Sequence, residues 1–172
     1  MADPWVPTKA IVTARAIPDN LLAYTTNAAR QAAALKWAGG NNLKLIRTVS
    51  NSLAEPAKPI YPSIAFSDDN DLADYTELVV PGAYSGVFEL SIQNRDADTA
   101  VTQARIYDKA FKSMIRNCPS DILLTNTGAM DAILNTLESG FERIKGHTKR
   151  KNDFLQQFQI RFTYTLKALT VS

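Results

Sequence analysis

The stretch FLQQFQIRFTYTL, residues 154–166, decides the fold that this sequence predicts. Apolar and polar side chains alternate along it, which is the pattern of a long β-strand with one buried face and one polar face. We therefore expect a β-sheet to which this segment contributes a long strand. The apolar positions that define the buried face are Phe154, Phe158, Ile160, Phe162, Tyr164 and Leu166.

Further strands of this sheet are predicted upstream. Val87–Gln93 alternates cleanly between apolar and polar residues, and a shorter strand is expected in IYPSIAF, residues 60–66. Tyr75–Val80 is another candidate, because it ends at the turn signal Pro81-Gly82. Strands that alternate in this way commonly form antiparallel sheets with one solvated face, so we expect a mainly antiparallel sheet.

Two segments are ambiguous between helix and strand. Leu43–Val49 fits either a strand or a short helix. Residues 128–145 carry an apolar stripe at helical spacing, but Gly140 and the loop that follows suit a strand paired with residues 154–166. A strand is favoured there, at least over Glu138–Lys145.

Two helices are predicted to pack on this sheet. The first covers residues 19–38, is rich in strong helix formers and stops at Gly39-Gly40. The second follows an N-cap at Asp96 or Asp98 and runs to about Asn117. Its apolar stripe, flanked by Ala100, Tyr107 and Met114, consists of Ala97, Val101, Ala104, Phe111 and Ile115.

Together these elements predict an α+β fold, in which a mainly antiparallel sheet of about four to five strands packs with two or more helices. Residues 1–17 contain Pro4, Pro7 and the β-prone run KAIVTARAI, and are expected to form an extended N-terminal arm. Residues 18–172 are expected to form a single domain, since a chain of 172 residues is long enough for one ordinary core.

Composition argues against several classes of protein. Apolar residues make up 45% of the chain and charged residues 21%, which is close to globular averages. No apolar run approaches the roughly 20 residues that span a bilayer. Asp3 and Pro4 stand where a secretory signal would be basic and then apolar. We expect a protein that stays in the cytoplasm where it is made.

Charge is unevenly distributed, although the formal net charge is only +2. Residues 68–77 form an acidic stretch without a basic residue, and residues 143–151 form a basic loop. Such polarity suits contact between unlike surfaces of neighbouring molecules, so both segments are candidate partner or channel contacts. The candidates are Asp68, Asp69, Asp71, Asp74 and Glu77 in the acidic stretch, and Arg143, Lys145, Lys149, Arg150 and Lys151 in the basic loop.

The sequence carries no recognisable catalytic, cofactor-binding or metal-binding motif. Glycine-rich phosphate loops and the GxSxG elbow are absent. A single cysteine, Cys118, and a single histidine, His147, cannot form a usual zinc site. The acidic stretch resembles a calcium loop, but the sixth and twelfth positions counted from Asp69 are Asp74 and Val80 rather than Gly and Glu. We expect no catalytic residue, cofactor or metal.

The order of the elements resembles that of the tail terminator, or tail completion, proteins of tailed bacteriophages, over roughly residues 19–170. The segments that carry the resemblance are the amino-terminal helix, the strand KPIYPSIAF, the strand GVFELSIQNRD leading into the helix DADTAVTQARIYDKAFKSMIRN, and a hairpin ending FQIRFTYTLKA. The resemblance implies a homo-oligomeric ring of about six subunits that caps the tail tube and joins it to a head-side connector or stopper. It also implies a place in the virion neck or tail, assembly in the host cytoplasm and non-specific contact with DNA in the channel.

Other functions stay open at this point. Another connector or stopper protein of the phage neck would show a similar order of helices and strands. A small DNA-binding module would use the basic loop, residues 143–151, and its affinity would fall steeply with salt. An enzyme would have to rely on a metal held by carboxylates such as Asp68, Asp69 and Asp71. Trp5 and Trp37 suit partner contacts and core positions equally well.

Overall fold

A computed structural model of the chain describes residues 16–50, 60–67, 82–123, 130–144 and 154–168. The elements in chain order are α1 (Ala16–Thr26), α2 (Ala28–Trp37), β1 (Thr48–Ser50), β2 (Ser63–Ser67), β3 (Gly82–Asn94), α3 (Ala97–Arg116), α4 (Ser120–Leu123), β4 (Met130–Ile144) and β5 (Phe154–Ala168). The strands form one sheet of order β1-β2-β3-β5-β4, in which β1 and β2 run parallel and the other neighbours antiparallel. The predicted α+β fold is confirmed.

Strand β5 lies between β3 and β4 and pairs with both along its length. The predicted alternation is confirmed over residues 158–164, where the apolar side chains on one face are all buried. The prediction is wrong at Phe154, which is 42% exposed because it lies at the end of the strand, opposite the last residue of β3. Only the backbone of Leu166 is described.

The core lies between α3 and the face of the sheet that carries these side chains, called the inner face below. Phe66 of β2, Phe88 of β3 and Phe162 of β5 meet there, with ring centroids 5.2 to 6.2 Å apart. A Cβ atom on Gly86 would lie only 2.7 Å from Phe162 and 2.9 Å from Phe66. Glycine is therefore what allows the rings to pack this closely against β3.

Helix α3 begins where its sequence predicts. Asp96 is the N-cap, and its carboxylate accepts a hydrogen bond from the backbone N–H of Thr99 at 2.9 Å. Ala97 and Val101, which were expected in the apolar stripe, are only partly buried. The buried face instead includes the three residues that were expected only to flank the stripe. Its members are Ala100, Ala104, Tyr107, Ala110, Phe111, Met114 and Ile115.

The single helix predicted over residues 19–38 is wrong, because the chain breaks at Asn27. This residue has an extended ψ of 125°, and its side chain accepts a hydrogen bond from the N–H three residues on, which caps α2. The hydroxyls of Thr25 and Thr26 donate to carbonyls one turn back in α1 and compete with helical hydrogen bonding. The predicted stop is confirmed at Gly39, whose φ is 100°.

Three other expectations concern the ends and connections of these elements. Helix α1 begins at Ala16, so the last two residues of the predicted arm are helical, and residues 1–15 lie outside the described residues. Of Leu43–Val49, the last two residues join strand β1. The candidate strand Tyr75–Val80 lies outside the described residues.

The ambiguity over residues 128–145 is resolved in favour of a strand, β4, which confirms the prediction for residues 138–144. A β-bulge at Asn135 interrupts the register with β5. Because of this extra residue, Leu134 and Leu137 lie three positions apart yet pair with Tyr164 and Phe162, two neighbours on the inner face of β5. The bulge thus gives a strand an apolar spacing that looks helical.

Candidate assembly surface

Most of the predicted contact residues lie outside the described residues. That is true of the whole acidic stretch, residues 68–77, and of four basic residues, Lys145, Lys149, Arg150 and Lys151. Arg143 is partly described: its backbone lies in β4, opposite Gln156 of β5. In sequence, the acidic stretch lies in the connection between Ser67, the last residue of β2, and Gly82, the first residue of β3.

A surface that the sequence did not predict is the open edge of the sheet, the side of β4 that faces away from β5. Within the described part of the chain, the sheet ends at β4. This strand has 15 residues, about 50 Å of chain, whereas edge strands are usually short. It contains neither proline nor lysine, but it does carry the charged residues Asp131, Glu138, Glu142 and Arg143 and one bulge, which are features that protect edges. On the side away from β5, no described strand pairs with its backbone.

The side chains of β4 are also open to solvent. Among those described, residues 131–141, none is buried. Ile133 is 42% exposed and Phe141 is 44% exposed. Ile133 lies opposite Thr165 on the outer face and Phe141 lies opposite Phe158 on the inner face, so the open edge has one exposed apolar side chain on each side of the sheet. Sequence reasoning missed this, since an apolar residue in a strand looks the same whether it faces a core or an interface.

Phe141 also borders a groove between the hairpin and α3. Its ring stacks on the buried ring of Phe158, with centroids 5.1 Å apart and an angle of 22° between the planes. One face of Phe141 is thus held in place while the rest stays exposed. The groove has a volume of about 490 Å³ and is lined by Asp98, Val101, Arg105, Phe141 and Gln156. Asp98 and Arg105 give this lining one charge of each sign beside the apolar Val101 and Phe141.

Polar contacts fix β4 to the rest of the subunit. The hydroxyl of Ser139 donates to the carboxylate of Asp108 on α3, and Asp108 also forms a salt bridge of 3.4 Å with Lys112. Near the other end, the hydroxyl of Ser120 donates to the carbonyl of Ala132 at 3.0 Å. The edge is therefore held by both α3 and α4, which reduces the entropy that binding a partner would cost.

The outer face of the sheet, opposite α3, carries hydrogen-bonded polar pairs. Gln157 donates to Ser91 at 3.1 Å and Gln159 donates to Glu89 at 3.3 Å across β3 and β5. Across β4 and β5, Thr136 donates to Thr163, and the bulged Asn135 donates to Thr165. Such cross-strand pairs hold the register of the sheet and satisfy its polar groups internally.

The described residues do not converge on chemistry. Among them, no group of three or more His, Cys, Asp or Glu side chains is placed to hold a metal ion. None of the helices in that part of the chain has the length and apolar character needed to cross a membrane. Trp37 is 61% exposed, with the Lys109 ammonium 4.8 Å from its ring centroid, so a core position for this tryptophan is excluded.

Comparison with known proteins gives no family for this chain. No protein-family model matches it, and its sequence matches no curated protein.

Proposed function

We propose that this protein is a structural subunit of a bacteriophage virion, a tail terminator that forms a ring, caps the tail tube and joins it to the head-side connector. The observation that carries the proposal is the open edge of β4, a long strand whose exposed Ile133 and Phe141 sit on a rigid hairpin. The assignment to a phage tail comes from the resemblance in element order. The ring would comprise about six subunits. The protein acts in assembly and not in catalysis.

Ring closure needs two different surfaces on each subunit, so that one copy meets the next head to tail. The open edge of β4 supplies one of them. The other side of the sheet ends at β1, a strand of only three residues. Apolar side chains are exposed there too, with Val49 at 46% and Ile60 at 57%. Two unlike apolar sides at opposite ends of one sheet are what a heterologous contact requires.

Native mass spectrometry of the purified chain tests the ring, and negative-stain imaging then tests its shape. We expect a closed oligomer of about six subunits. The variant Ile133→Lys places an ammonium group on the open edge and should leave a folded monomer. Ile133→Val is the matched control and should keep the ring. A wild-type chain that stays monomeric at all concentrations would contradict the proposal.

A terminator is distinguished from a connector or stopper by the structure that it binds. The assay is addition of the purified ring to growing tail tubes of the same phage, with tube length read by electron microscopy. A terminator arrests growth and is seen at one tube end. If the ring instead binds isolated head-side connectors and leaves tube growth unchanged, the protein is a connector or stopper and the terminator assignment fails.

A further inference from the structure

A polar pocket lies apart from the groove beside Phe141 and shares no lining residue with it. It lies where α3, the start of β2 and the loop after α2 meet, and has a volume of about 420 Å³. That volume is within the range of ordinary ligand sites. The lining includes Lys44, Arg95, Asn42, Gln93 and Tyr61, and it contains no carboxylate.

The pocket is positively charged. Lys44 and Arg95 both line it, and both side chains are exposed. Neither of them forms a salt bridge with another described residue, since the ion pair found in the described ranges joins Lys112 to Asp108. The nearby carboxylate of Asp96 is engaged in capping α3 through Thr99. Two cations thus face a concave surface without a counter-charge in the described structure.

The walls of the pocket are held in place before anything binds. The hydroxyl of Tyr107 donates to the carbonyl of Lys44, and burial raises the pKa of Tyr107 to about 12. Pro62, which also lines the pocket, accepts a hydrogen bond on its carbonyl from the N–H of Arg47 at 2.8 Å. Asn94 donates to Gln103 at 3.2 Å along the rim. A preformed site loses less entropy on binding.

The acidic stretch, residues 68–77, has the complementary charge, with five carboxylates and no cation. In the proposed ring, unlike surfaces of neighbouring copies meet head to tail. A neighbouring copy can therefore bring its five carboxylates to the two cations of this pocket.

We propose that the pocket around Lys44 and Arg95 binds carboxylate side chains of the acidic stretch of a neighbouring copy of this chain. The inference rests on the proposed ring and adds the charged contact that sets which surface meets which. Such contact between unlike surfaces fixes the head-to-tail direction and rejects like-to-like pairing, because two pockets or two acidic stretches repel.

A charge swap tests this contact. One variant carries Lys44→Glu and Arg95→Glu, and the other carries Asp68→Lys and Asp69→Lys. The side chains of Lys44 and Arg95 are exposed, and circular dichroism checks that both variants fold. Each variant alone should fail to form the wild-type ring in native mass spectrometry. The mixture should regain it, because each modified pocket then meets a modified stretch. With a mass tag on one variant, the restored ring should contain equal numbers of the two chains.

The outcomes separate this inference from the proposed function. If the wild type forms a ring and either variant alone also forms it, the pocket contact is wrong and the ring stands. If the wild type forms no ring, the ring proposal fails. A peptide titration then tests separately whether the pocket binds the acidic stretch. The probe is FSDDNDLADYTE, residues 66–77, titrated into the Asp68→Lys/Asp69→Lys chain. Salt-sensitive binding that Lys44→Glu/Arg95→Glu abolishes supports the pocket, whereas absence of binding overturns it.

Discussion

Strands β5 and β4 pair with each other over their length and have the same number of residues, yet they differ in burial. On β5, Phe158, Ile160, Phe162 and Tyr164 are all at most 3% exposed. On β4, none of the side chains described is buried. The difference shows that apolar content alone does not define the core of this subunit. β5 holds the fold together, whereas we propose that β4 offers its edge to a neighbour.

The largest effect on stability is expected at the centre of the sheet. Phe162→Ala removes a ring that is 1% exposed and packs on two other phenylalanines, so it should lower the free energy of unfolding by about 3–5 kcal/mol. Phe141→Ala, on β4, should cost about 1 kcal/mol, the value of its stack on Phe158. Urea unfolding in the Ile133→Lys background measures both without a contribution from assembly. Equal losses of unfolding free energy in the two variants would contradict the claim that β5, and not β4, forms the core.

Glycine gives a second comparison between the same regions. Gly86→Ala forces a Cβ atom against Phe162 and Phe66 and should cost about 1–3 kcal/mol. Gly140→Ala on β4 meets no atom within 4 Å and should be neutral or stabilise by up to about 1 kcal/mol. Thermal and urea unfolding of the two alanine variants measure the difference. A destabilising Gly140→Ala of similar size would mean that β4 is as tightly packed as β3.

The smallest effect is expected at the start of α3. Hydrogen bonds from Thr99 lower the pKa of Asp96 below its ordinary 3.8, so the folded state favours the ionised cap. That stabilisation is complete above the unfolded value of 3.8 and is lost as the pH falls through the lower folded pKa. Asp96→Ala should lower the thermal midpoint slightly, and Asp96→Asn, which still caps, should lower it less. A difference between wild type and Asp96→Ala that is independent of pH would contradict this role.

The parts of the fold that local rules govern could be predicted from the sequence. The alternation of residues 158–164, the N-cap Asp96 and the stop at Gly39 each depend on a few adjacent residues. The break at Asn27 was missed because strong helix formers on both sides outweigh one capping residue. Strand β4 was ambiguous because the bulge at Asn135 alters the spacing of its apolar residues.

The candidate surfaces could not be predicted in the same way. Ile133 and Phe141 are exposed because β4 is an edge strand, and the strand order that places it there cannot be read from local sequence patterns. Lys44 and Arg95 are distant in sequence and meet only because α3 packs beside the loop after α2. The predicted roles of the acidic stretch and the basic loop remain predictions, since their side chains lie outside the described residues.

The central claim, that β4 offers its edge to a neighbouring copy, is tested most directly by amide hydrogen exchange. The wild-type protein is compared with the Ile133→Lys variant under identical conditions, and exchange is read in peptides from β4 and from β5. We predict that β4 amides are much better protected in the wild type than in the variant, because a neighbour covers them, while β5 amides are equally protected in both. Equal exchange of β4 in the two proteins would contradict the account.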